Sequence, residues 1–391
     1  MQKQLTLFCF SLLLAACQNS EGDRTLQNEA LQNQLKMNEI QFMASHNSYR
    51  IRTYEPLYEF TLALAAQLTL PEDPKAWDYT HLPIPQQLSD YNIRGLEIDI
   101  FNDPNGGHFY SREGMKFVNE PKESGIAELQ QPGMKVLHIP DMDFMTHYYT
   151  FVSALQAVKT WSDAHPKHLP IVINVEAKES TIADHIALDG FIKAIPFDAV
   201  AWDALDTEVK SVFGENLEQV ITPDEIRGNY PTLKEAILQK GWWTLEQARG
   251  KVIFALNISS ARTQAYLNGH PSFEGRTMFA YMNDDASNAA AFIIQNDAKG
   301  DQAAITEYVK KGYMVRTRSD ADTEEAKTGD YTPLNAALAS GAQIISTDYY
   351  RPDERYLTNP EWTNFTATIP GNVVARSNPV LNTIFKGTVK E

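Results

Sequence analysis

The feature that most restricts how this chain can fold is an alternation, sustained from Met37 onward, of short β-prone apolar runs with amphipathic helical stretches. Runs that are apolar throughout need cover on both faces, which a parallel sheet flanked by helices provides. Eight candidate strands can be marked: Ile40–Ala44, Gly95–Ile100, Lys135–Ile139, Ile171–Val175, Val252–Leu256, Thr277–Tyr281, Met314–Arg318 and Gln343–Ser346. Between them, Ile84, Leu88 and Tyr91 share one helical face, as do Phe151, Ala154, Leu155 and Val158. Thr232 with Glu235, and Thr244 with Gln247, read as capping boxes that open two further helices. The expectation is an α/β fold closed as a (β/α)8 TIM-like barrel, distorted where the sixth strand is weakly patterned, with residues 37–391 as a single domain. The segment Glu179–Gly250 reads as a helical excursion between the fourth and fifth strands.

The N-terminus has its own logic. Lys3 precedes an apolar stretch, Leu5–Leu14, and then Ala15-Ala16-Cys17, the form of a lipoprotein signal with residues 1–16 removed and Cys17 lipidated. A plain secretory signal with an incidental cysteine is the alternative. Residues 17–36 are polar and rich in Gln and Asn, and read as a tether. With Cys9 inside the removed segment, Cys17 would be the one remaining cysteine and no internal disulfide could form. The predicted location is a bacterial cell envelope, membrane-anchored and facing the periplasm or the exterior. Beyond the first twenty residues no apolar run has the eighteen or so residues that span a bilayer. Thirty-four basic against fifty acidic residues give a formal charge of −16, which repels phosphate backbones and excludes a nucleic-acid partner.

In a barrel of this type the active site is assembled at the C-terminal ends of the strands. The first expected strand closes with Ser45-His46-Asn47, the second carries Glu97 and Asp99, the third ends at His138 and the fourth at Glu176. Of nine histidines, only His46 and His138 end predicted strands. Alternation points Glu97 and Asp99 to one face of their strand. Two inward carboxylates are costly to desolvate unless a cation or donors meet them, although an isolated Glu-x-Asp is more often a surface pair. With Glu176 and the amide oxygen of Asn47 they form an all-oxygen set that suits one hard cation, Ca2+ before Mg2+, and disfavours zinc. The histidines are then available for proton transfer. Asp141 and Asp143 follow His138 closely and are candidates to orient its ring, or simply loop carboxylates.

The strings SHNSY, RGLEIDIF, KVLHIPDMDF, LPIVINVEAK, GKVIFALN, YMVRTRSDAD and GAQIISTDYY, taken in order from about Phe42 to Tyr350, resemble the bacterial calcium-dependent phosphoinositide-specific phospholipase C family. The resemblance implies cleavage of phosphatidylinositol or a related inositol phospholipid to a cyclic inositol phosphate and diacylglycerol. It implies His46 and His138 as the acid/base pair, with Asn47, Glu97, Asp99 and Glu176 as calcium ligands. Lys178, Arg316 and Arg318 are implied as contacts to the substrate phosphate or headgroup, with salt bridges inside an acidic rim, for instance to Asp320 or Asp322, as the competing reading for the arginines. Arg50 departs from the family, which often has a histidine there, and points to altered headgroup contacts. The long connection with Asn105-Gly106-Gly107 is read as a mobile rim loop offering Phe109 or Tyr110 to lipid or substrate. A glycerophosphodiesterase has a comparable layout but an HRG-type start, and a non-catalytic cell-surface binding lipoprotein would need no strand-end histidine pair.

Overall fold

The computed structural model describes residues 26–67, 73–186 and 188–391; the signal segment and Cys17 lie outside the described residues. The described residues contain eleven strands: β1 (Ile40–Ser45), β2 (Gly95–Phe101), β3 (Ile171–Lys178), β4 (Val220–Ile221), β5 (Val252–Asn257), β6 (Phe279–Met282), β7 (Phe292–Ile294), β8 (Met314–Arg318), β9 (Ile344–Thr347), β10 (Ala375–Ser377) and β11 (Thr388–Val389). Eight of them run parallel in the order β1-β2-β3-β5-β6-β7-β8-β9, and β9 pairs back onto β1, so the barrel is closed. Helices cover it, as the buried apolar runs require: Ile173, Phe254 and Ile345 are fully buried between barrel and helices.

The set of staves differs from the sequence expectation in one exchange. Lys135–Ile139 is not a stave. Its backbone makes isolated antiparallel bridges, Lys135 to Phe101 and Thr150, and Ile139 to Asp143, while β2 pairs directly with β3 over seven residue pairs from Gly95↔Val172 to Phe101↔Lys178. The stave that takes its place is the three-residue β7, which follows Ala289-Ala290-Ala291 and has too little β-branched sequence around it to stand out.

The connection between β2 and β3 is accordingly long and largely irregular. It carries 3-10 turns at Glu113–Val118 and Ala127–Gln130 and the helix Phe151–Ala164. A separate apolar cluster holds it together, built on Trp77, Phe101, Phe109, Leu137, Met142 and Phe144. Phe109 is buried against Phe101, with ring centroids 5.2 Å apart, and so is a core residue, where the sequence suggested a lipid-facing one. The excursion between β3 and β5 is helical as expected, with Ala199–Phe213 its longest helix, and it also contributes β4, which pairs with β5. In the stretch read as a tether, residues 26–34 are helical and Leu35 is fully buried.

The seam between β1 and β2 is the thinnest in the barrel. They share one registered pair, Ala44↔Gly95, while β10 pairs antiparallel with Ile40–Phe42. A Cβ on Gly95 would stand 2.4 Å from the Ala44 Cβ, closer than any real packing contact, so glycine is what allows the two staves to meet. Gly95→Ala is expected to cost roughly 1–3 kcal/mol of stability through overpacking, read as a lower urea midpoint, and an unchanged midpoint would show that the seam relaxes.

Candidate active site and metal centre

Parallel pairing and side-chain alternation bring the acidic residues together. Asp99 on β2 is the direct cross-strand partner of Glu176 on β3, and Glu97 that of Asn174. One carboxylate oxygen from each of Glu97, Asp99 and Glu176 lies within 4.8 Å of the others, which is a spacing that one metal ion can bridge. Glu97 and Asp99 are buried and Glu176 is partly exposed. Asp99 accepts no hydrogen bond: Oδ2 is met by the Lys178 ammonium at 3.1 Å, and Oδ1 is buried without a partner. Burial drives the Asp99 carboxyl above its ordinary range, against the pull of Lys178. Burial works the same way on Glu176, but Lys178 at 3.0 Å, His46 and Arg316 together outweigh it and hold that carboxylate low. A buried, unpartnered Asp99 Oδ1 in a hard, all-oxygen donor set is what a calcium ion would satisfy, so the residues present fit the cation that the sequence implies.

Asn47 closes the turn after β1 with a left-handed backbone, φ 48°, a conformation that asparagine tolerates. Its Nδ2 donates to Tyr79 Oη at 3.1 Å, leaving Oδ1 as its available acceptor. The turn is pinned on both sides: His46 N donates to Thr347 O and Ser48 N to Glu97 O.

His46 Nδ1 lies 2.8 Å from Asp348 Oδ1, so Nδ1 carries the proton and Nε2 faces the cavity, 3.9 Å from Glu97 Oε1. Asp348 Oδ2 in turn accepts from Arg318 at 2.7 Å. Although burial opposes its ionisation, His46 and Arg318 hold Asp348 well below the usual carboxylate range. Behind His46, His81 Nε2 lies 2.7 Å from the His46 carbonyl oxygen and donates to it, and burial keeps that imidazole neutral with a pKa lowered to about 4.

His138 is held by the lobe that the connection between β2 and β3 forms, not by a strand end. Its Nδ1 lies 2.7 Å from Asp143 Oδ2, the carboxylate also accepts from Thr53 and pairs with Arg50, and Trp77 stands edge-on to the ring at 6.2 Å. Asp143 is thus the residue that orients His138, while Asp141 caps the backbone of Glu113 and Ile192 instead. Arg50 is 1% exposed, bonded to Asp143 and Trp77 O and stacked 4.7 Å above the Tyr79 ring. It supports the site from below and does not reach a headgroup.

The other predicted substrate contacts divide. Arg316 is buried, pairs with Glu97 and donates to Asn296 at 3.0 Å; it neutralises a metal-ligand candidate and is not exposed to the cavity. Arg318 and Lys178 do line the cavity, a space of about 320 Å3 that also contacts His46, Asn47, His138 and Asp348. A second chamber of about 330 Å3 adjoins it, sharing Trp77, His138, Glu176 and Lys178 and extending to Asn257, Ser259 and Arg262. Sequence reasoning passed over Asp348, Tyr79 and Trp77. Asp348 follows the last stave directly, so the rule that finds polar strand ends would have found it; Tyr79 and Trp77 lie in the connection between β1 and β2 and carried no such signal.

The fold and the family have counterparts among known proteins. The fold matches the calcium-dependent phosphoinositol-specific phospholipase C of a Gram-negative Pseudomonas species, solved in its apo form as a myo-inositol complex, with a TM-score of 0.53 at 16% identity over 88% of this chain and 96% of that one. A further crystal form of the same enzyme gives 0.52 at 15% identity over 89% and 97%. No curated protein sequence matches the chain. The family described as phosphoinositide phospholipase C, Ca2+-dependent, matches residues 35–379, nearly the whole described body. On that match the chain belongs to the calcium-dependent phosphoinositide phospholipase C family.

Proposed function

We propose that this protein cleaves phosphatidylinositol, or a closely related inositol phospholipid, by intramolecular transfer, with His46 and His138 as its acid/base pair. The observation that carries this reading is that Nδ1 of each histidine lies within hydrogen-bond distance of a buried aspartate, and both rings line one cavity together with Glu176, a member of the three-carboxylate cluster. An Asp-oriented imidazole presents Nε2 in one tautomer and is stabilised when it becomes charged. One Nε2 removes the proton from the inositol hydroxyl next to the phosphate, and that oxygen attacks phosphorus. The phosphorus bond to the glycerol oxygen breaks, and the other imidazolium protonates the departing oxygen. The products are a cyclic inositol phosphate and diacylglycerol.

Asn47, Glu97, Asp99 and Glu176 are the residues that would hold calcium. When bound, the ion supplies positive charge to the phosphate oxygens and acidifies the attacking hydroxyl. Arg316 keeps Glu97 in place from behind. Two chambers that meet at His138 and Lys178 suit a diester, whose phosphate must sit between two bulky groups. The myo-inositol found with the Pseudomonas enzyme is in keeping with an inositol ring in one of them. We further propose that Cys17 carries a lipid anchor, on the strength of the Leu5–Leu14 run and the small residues Ala15 and Ala16. The enzyme would then stand on a bacterial envelope membrane next to its substrate.

Phosphorus NMR of phosphatidylinositol incubated with the protein and calcium should show a cyclic phosphodiester as the first product; glycerol 3-phosphate would instead mark a hydrolase of another type and overturn the reading. His46→Ala and His138→Ala should each lower kcat by roughly 10²- to 10⁴-fold. Asp348→Asn should lower it by a comparable factor with little change in KM, because Asn leaves the ring in place with the wrong tautomer favoured. Full turnover in any of the three removes that residue from the scheme. Glu97→Gln should weaken calcium binding about tenfold or more in calorimetry, and a chelator should stop turnover reversibly. Cys17→Ser should move the protein from the membrane fraction to the soluble fraction of cells that express it, and retention on the membrane would end the anchor proposal.

A further inference from the structure

Lys178 occupies an unusual position for a substrate contact. It follows Glu176 by two residues on β3, so alternation sends both side chains to the same inward face. Its Nζ lies 3.0 Å from Glu176 Oε1 and 3.1 Å from Asp99 Oδ2. Those are two of the three carboxylates whose oxygens converge within 4.8 Å. The third, Glu97, has its own buried counter-ion in Arg316. The cluster therefore divides between an arginine fixed behind it and an ammonium lying against the ligand oxygens themselves.

The two cations differ in what calcium can do to them. Arg316 approaches Glu97 from inside the barrel, is 3% exposed and is tied to Asn296 and Ser346, so it can stay while a metal binds on the open side. Lys178 is on a flexible four-carbon stem, is 18% exposed and lines both chambers. Calcium draws its oxygens to about 2.3–2.6 Å, and an ammonium held at about 3 Å from two of the same carboxylates stands within the repulsive reach of a divalent ion.

We propose that Lys178 is a resident counter-ion that competes with calcium for Asp99 and Glu176, and that calcium binding moves its ammonium into the junction of the two chambers, where it meets the substrate phosphate. In the metal-free protein Lys178 keeps two adjacent carboxylates from repelling one another. In the loaded protein the same charge is delivered to the phosphodiester. Calcium thus does more than join the site: it exchanges places with a lysine that then helps to bind substrate, and the exchange sets the calcium concentration at which the enzyme switches on. This inference rests on the calcium reading of the site.

Two measurements test it without relying on turnover. Calcium titration calorimetry at fixed pH on the full chain, Lys178→Met and Lys178→Ala should show tighter binding in both variants, on the order of tenfold, because a competing charge has been removed. Amine labelling of the wild-type protein, quantified by mass spectrometry, should show Lys178 labelled several-fold faster with calcium than with chelator, while the exposed Lys310 stays constant. Unchanged or weaker calcium binding in both variants overturns the proposal, as does Lys178 labelling that calcium leaves unchanged or lowers. A wild-type protein that binds no calcium removes the calcium reading and this inference together, whereas normal calcium binding with either negative result removes this inference alone.

Discussion

Three carboxylates at the mouth of a closed parallel barrel are the constraint around which the rest of this site is arranged. The register Asp99↔Glu176, with Glu97 two residues earlier on the same face, leaves them no way to separate without shifting a stave. Burying like charges at this spacing is unfavourable unless cations and donors surround them. Arg316 answers Glu97 from within, Lys178 answers Asp99 and Glu176 from the open side, and Asn257 adds a hydrogen bond to Glu176 at 3.2 Å. Asp99 still accepts no hydrogen bond and its Oδ1 is buried without a partner, which a hard divalent cation is suited to satisfy.

Around that cluster stand two relays of the same composition, each a histidine, an aspartate and an arginine. His46, Asp348 and Arg318 come from the ends of β1, β9 and β8, the staves at which the barrel closes. His138, Asp143 and Arg50 come from connections, two of them from the excursion after β2. The relays meet through Tyr79, whose hydroxyl approaches His46 Nδ1 at 3.2 Å and whose ring lies under Arg50. Both imidazoles are therefore held in orientation by buried carboxylates, an arrangement that lowers the reorganisation needed during proton transfer.

The excursion between β2 and β3 works because it has its own apolar core. Trp77, contributed by the connection between β1 and β2, packs in that core and against His138. Without Phe101, Phe109 and Leu137 beneath it, a histidine outside any ladder would have no defined place. The lobe does for His138 what backbone pairing does for the residues on the staves, and His138 borders both chambers.

Which side chains face inward along β2 and β3 was legible in the sequence, since alternation is a local property of extended chain and the apolar residues at 96, 98 and 100 declare the other face. The ends of the staves other than β7, the helical excursion after β3 and the closed parallel class were also legible. Pairing was not. KVLHI at 135–139 is apolar and extended as its composition suggests, yet the barrel passes it by, because a strand is completed by neighbours that local sequence does not specify; Phe292–Ile294 is short and poorly patterned, yet it lies between two staves that need one. Asp348 reaches His46 across 302 residues, and Arg316 reaches Glu97 across 219. Such partners are set by closure of the ring of staves, so the sequence by itself determined the chemical types available at the mouth of the barrel, and only tertiary structure decided which charge answers which.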